Sequence, residues 1–125
     1  MSEIELSSEA QQYLMQLQMI QTQLQNIAMQ KESISMQNFE MDKALDELKK
    51  INEKDDVFKA VGPILIKSNK ADMLKELKEK KELGEIRMKN LNKQEEKLQE
   101  KIREGQNKLQ EMLMPKAKKN DSEAN

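Results

Sequence analysis

Ten thioethers and twenty-three carboxylates are the groups in this sequence that could ligate a metal or move a proton. Acid–base catalysis needs a carboxyl group whose pKa is tuned inside a convergent pocket. The carboxylates here alternate with lysines, as in Glu76/Lys80 and Glu85/Lys89, a spacing of four that suits ion pairs on a solvated helix face. Methionine can supply soft ligands, yet Met15, Met19, Met29 and Met36 are scattered and form no compact cluster. They read as flexible apolar surface. Histidine and cysteine are absent. That removes the commonest general base, the commonest nitrogen ligand, thiolate metal sites and disulfides. Lys67-Ser68 follows Gly62 much as in a phosphate-binding loop, but no glycine stands before the lysine at the required place and Pro63 intervenes. No catalytic residue, cofactor or metal is expected. The chain reads as a binding and assembly protein rather than an enzyme.

Composition narrows the partners. The net charge is −1, with no basic stripe interleaved with aromatics, which argues against nucleic acid. No apolar run approaches the ~20 residues needed to span a bilayer. Met1-Ser2-Glu3 opens acidic, with no apolar stretch typical of a secretory signal after it, so a cytoplasmic location is expected. Hydrophobic and charged residues each make up 36% of the chain, a balance typical of coiled coils rather than of globular cores.

The elements follow from period. From residue 8 to 52, apolar residues recur at alternating spacings of three and four. One set is Ala10, Leu17, Leu24, Lys31, Asn38, Leu45 and Asn52; the other is Tyr13, Ile20, Ile27, Ile34, Met41 and Leu48. Sustained over six heptads, this predicts a coiled-coil helix. Ser7, Ser8 and Glu9 offer N-terminal capping. A second helix is predicted over 70–114, stopped by Pro115. Its seam is Leu74, Leu77, Lys81, Gly84, Met88, Leu91, Glu95, Leu98, Ile102, Gly105, Leu109 and Met112. Between the two, residues 55–69 change character. Val57 to Val61, then Gly62-Pro63, then Ile64 to Lys67 reads as strand, turn, strand. Residues 115–125 read as a disordered tail. The expected fold is mainly α, a long antiparallel two-helix coiled coil connected by a central β-hairpin, in one domain. Folding back at the turn brings Lys31 and Glu95 within about one layer of each other, where a charge pair would help set register. Gly84 and Gly105 offer either close approach or bending.

An isolated two-stranded hairpin is marginal in water, so this one is expected to pair with other subunits. The segment from Asp56 to Lys67, DVFKAVGPILIK, set between two coiled-coil arms, resembles the hairpin of β-type subunits of the prefoldin family, as does the Lys/Glu-rich run from Leu77 to Gly84. The resemblance covers the chain before Pro115, and the single hairpin is what marks the β type. It implies a heterohexamer of two α and four β subunits whose hairpins build a central body. It also implies an ATP-independent holdase that binds unfolded proteins and delivers them to a group II chaperonin, without nucleic acid or membrane. Subunit assembly is then expected at Val57, Phe58, Val61, Ile64, Leu65 and Ile66. Client binding is expected at the helix ends farthest from the hairpin: Leu6, Tyr13, Leu14 and Leu17 from one helix, and Leu109, Met112, Leu113 and Met114 from the other. Leu14 and Leu113 lie beside the seam and widen its apolar stripe. Tyr13, Leu17, Leu109 and Met112 also serve to close the coil. The alternative is a structural scaffold or tether without chaperone activity, which accounts for the arms but not for the hairpin.

Overall fold

Ser7 starts the first helix. Its hydroxyl accepts from the Ala10 N–H at 3.1 Å and its carbonyl from the Gln11 N–H at 3.0 Å, satisfying donors that the first turn leaves free. In the computed structural model, which describes residues 7–113, the order is α1 (Ser8–Lys50), β1 (Val57–Val61), β2 (Ile64–Ser68) and α2 (Lys70–Leu113). The chain divides into two compact units. One holds residues 29–92 and therefore the hairpin; the other joins the described residues before 29 to those after 92.

In the hairpin unit, α1 ends at Lys50, two residues short of the expected boundary. Asn52 donates its N–H to Asp55 Oδ2 at 2.8 Å and accepts from the Asp55 N–H at 3.1 Å, forming a turn that competes with further helix. Asn52 is thus exposed beyond the helix rather than in the seam. The two strands pair antiparallel from Val57↔Ser68 to Val61↔Ile64. Gly62 has φ 57°, the one positive φ among the described residues. Proline keeps φ near −65°, so Gly62-Pro63 makes a tight turn of the mirror-image kind that matches strand twist. Asn69 then caps α2: its side-chain oxygen accepts from the Asp72 N–H at 2.8 Å, and its amide donates to Asp72 Oδ2 at 2.9 Å.

Within the hairpin unit, Ile34, Leu45, Leu48 and Leu91 are buried, and Asn38, Met41, Leu74, Leu77, Lys81, Gly84 and Met88 are half-buried. Asn38 meets Gly84 and Asp42 meets Lys81, so the two helices run antiparallel here. In the other unit Ala10, Leu17 and Ile27 are buried, while Tyr13, Ile20, Leu24, Leu98, Ile102, Leu109 and Met112 are half-buried. Leu17 meets Gly105 there and Lys108 meets Tyr13, again antiparallel. Each seam thus follows the heptad positions. Removing a Leu or Ile side chain from water contributes about 1.5–3 kcal/mol.

Candidate functional site

The hairpin is apolar on both faces. Alternation puts Val57, Lys59 and Val61 on one face with Ser68, Ile66 and Ile64, and Phe58 and Ala60 on the other with Lys67 and Leu65. The second face is exposed throughout. On the first, Val57, Lys59 and Ser68 are half-buried near the base, but Val61, Ile64 and Ile66 toward the turn are exposed. Ile64 is 61% exposed and Leu65 70%. Of the six residues expected to assemble, only Val57 is partly covered within the chain.

The base of the hairpin is held by ions. Lys59 on β1 donates to Glu76 on α2, and Lys80 reaches the same carboxylate at 3.3 Å. Lys59 and then, after an opposing desolvation effect, Lys80 hold the Glu76 carboxyl below the usual carboxylate value. Lys70, at the start of α2, donates to the carbonyls of Ile51 at 2.9 Å and Lys49 at 3.4 Å. It satisfies acceptors left free where α1 ends and fits the negative pole of the helix. Lys67 and Asp56 pair at 3.4 Å on the outer surface. None of these ties was expected from the sequence. The signal available was a lone lysine, Lys59, inside an apolar strand.

The polar seam positions each have their own arrangement. Lys81 lies 2.5 Å from Asp42, and that hydrogen bond raises the lysine pKa. Asn38 Oδ1 is buried without a hydrogen-bond partner among the described residues. A Cβ on Gly84 would stand 2.7 Å from that oxygen, so the amide rests against bare glycine backbone. A Cβ on Gly105 would stand 2.9 Å from Leu17 Cδ2. Close approach, rather than bending, is therefore what both glycines supply. Lys31 and Glu95 are each half-buried at their seam positions.

The residues expected to bind clients separate by exposure. Leu17 is buried against Gly105, and Tyr13, Leu109 and Met112 are half-buried, with Lys108 Nζ 5.7 Å from the Tyr13 ring. These four close the seam. Leu14 and Leu113 are exposed beside it. Leu6 and Met114 lie outside the described residues, as does the tail beyond. Among the described residues there is no cluster of three acidic or metal-ligating side chains, and no helix is long and apolar enough to cross a membrane.

Comparison with known proteins places this arrangement. The family model described as "Prefoldin subunit" matches residues 11–116. The chain is 46% identical over 113 residues to the prefoldin subunit beta of Archaeoglobus fulgidus, covering 90% of this chain and 97% of that one. It is 38% identical over 108 residues to the corresponding subunit of Sulfolobus acidocaldarius, covering 86% of each chain. The crystal structure of the prefoldin beta subunit from Thermococcus strain KS-1 superimposes with a TM-score of 0.78 at 37% identity, covering 89% of this chain and 97% of that one.

Proposed function

This chain belongs to the prefoldin family, among its β-type subunits, and from that premise we propose that it is an ATP-independent holdase subunit working in a hexamer of two α and four β chains. One observation carries the reading: the hairpin exposes Phe58, Val61, Ile64, Leu65 and Ile66 on both faces while its base is tied to α2. Two strands with open edges and apolar faces are a liability alone and a template in company. Partner hairpins would cover these residues and complete the sheet.

The capturing surface is assigned to the unit built from the start of α1 and the finish of α2. Leu14 and Leu113 offer apolar area that the seam does not consume; Leu6 and Met114, outside the described residues, are assigned to the same surface from their place in the sequence. Unfolded chains expose apolar segments of no fixed shape, and flexible Leu and Met side chains adapt to them. No nucleotide enters the scheme, since release is by handover to a group II chaperonin.

The test has two stages. Light scattering of this chain mixed with an α-type subunit should show a hexamer. That hexamer should then suppress turbidity of an unfolded client without nucleotide and yield folded client when the chaperonin is added. A mass unchanged on mixing removes the assembly role of the hairpin. Assembly without suppression leaves a scaffold or tether.

A further inference from the structure

The described methionines fall into two classes. Met41, Met73, Met88 and Met112 are half-buried. Met15 and Met19, one helical turn apart in one unit, are each 63% exposed; Met29 and Met36, two turns apart in the hairpin unit, are 69% and 60% exposed. All four exposed thioethers are on α1 and none occupies a seam position. Their settings differ: Gln11 to Gln30, around Met15 and Met19, contains no charged residue, whereas Met29 and Met36 share a shallow hollow with Ser33, Glu32 and Glu40.

We propose that Met15 and Met19 in one unit, and Met29 and Met36 in the other, are modification sites for two-electron oxidants of the peroxide class, and that oxidation turns these exposed thioethers of α1 into polar sulfoxides while the helices stay paired. The chemistry has few competitors, because the chain has no Cys, Trp or His to take the oxidant first. In each event a sulfur lone pair attacks one peroxide oxygen and the O–O bond breaks. Sulfur loses two electrons and gains the oxygen; the other oxygen leaves as water. A dithiol-using methionine sulfoxide reductase reverses it, releasing the oxygen as water and forming a disulfide on the reductase. The helices survive because the described methionines at seam positions, Met41, Met88 and Met112, are half-buried and so less open to the oxidant. The functional consequence, weaker capture of apolar client segments by the unit that holds Met15 and Met19, rests on the holdase reading above, since a polar sulfoxide disrupts adaptable methionine contacts.

The experiment uses the full chain, alone and assembled with an α-type subunit, under graded hydrogen peroxide with peptide mass spectrometry. Met15, Met19, Met29 and Met36 should oxidise at least about fivefold faster than Met41, Met73, Met88 and Met112, with helicity and native mass unchanged. Client suppression should fall as the sulfoxides accumulate and return after reductase treatment. In the chain carrying Met→Leu at all four positions, whatever suppression is present before the same exposure should be undiminished by it. Equal rates at all eight, or lost helicity with the first oxygen added, would overturn the site. A matching fall in wild type and the leucine variant overturns the functional consequence. An untreated hexamer that does not suppress aggregation overturns the holdase reading and that consequence with it, while the order of oxidation still judges the site.

Discussion

Isoleucine in the seam and isoleucine in the hairpin have opposite fates. Ile34 is 3% exposed, whereas Ile64 is 61% exposed. The seam finds its complement inside the chain, because heptad spacing on one helix meets heptad spacing on another. Two strands cannot do the same, since a sheet face is covered only by another layer and an edge only by another strand. Equal hydrophobicity therefore serves folding in one region and is left over for association in the other.

Substitutions can break that contrast in a graded way. Ile34→Ala should cost about 2–5 kcal/mol of stability, read by urea unfolding of the isolated chain. Ile34→Asp should cost more, because the carboxylate is buried without a partner. The double change Ile64→Asp and Ile66→Asp should leave unfolding of the isolated chain within about 0.5 kcal/mol, as expected at exposed positions, yet abolish hexamer formation on light scattering. A large loss of stability there would mean the hairpin serves folding after all. Gly105→Leu should cost about 1–3 kcal/mol by overpacking against Leu17, visible as a lower Tm with the same helical content.

Charge sharpens the comparison at smaller amplitude. Asp42→Asn should give a slight, salt-sensitive fall in Tm, because Lys81 is left at the seam without its carboxylate. The Lys81 pKa is raised, so this pair stabilises fully below the ordinary lysine value of 10.5 and is lost as pH rises through the raised one. Glu76 behaves in the opposite sense. Its pKa is lowered, so the tie to Lys59 is intact above the ordinary glutamate value of 4.5 and is lost as pH falls through the lowered one. Protection of the Lys59 amide, taken relative to its intrinsic exchange rate at each pH, should fall over that acid window in wild type, and Glu76→Gln should flatten the response.

The two helices also differ outside the seam. α2 carries 22 charged residues among its 44, whereas the stretch of α1 from Gln11 to Gln30 carries none. The seam of either helix can be read from period alone, but the outer faces cannot. Gln and Met on an outer helix face are compatible with solvent or with a partner, and exposure is what shows Met29 and Met36 open within the chain.

Sequence alone was enough for both helices, the hairpin and its turn, and for the seam positions up to Leu48 on the first helix, because period, β-branched clustering and Gly-Pro chemistry are local properties; Asn52 fell outside because its turn with Asp55 ends the helix first. The sequence also carried enough of the hairpin and its surroundings to indicate the family. The exposed set at the hairpin was legible for the same reason, since the described residues hold no other strand to cover it. Tertiary structure alone decided that Gly84 and Gly105 serve close approach, that Lys81 leans on Asp42, that Lys59 ties the hairpin to Glu76, and that Lys70 closes the end of α1. Each of these joins residues distant in sequence, and which of many lysines meets which carboxylate depends on register and angle. Those are set by how side chains fill the space between two helices, a property of the pair that neither stretch of sequence expresses alone.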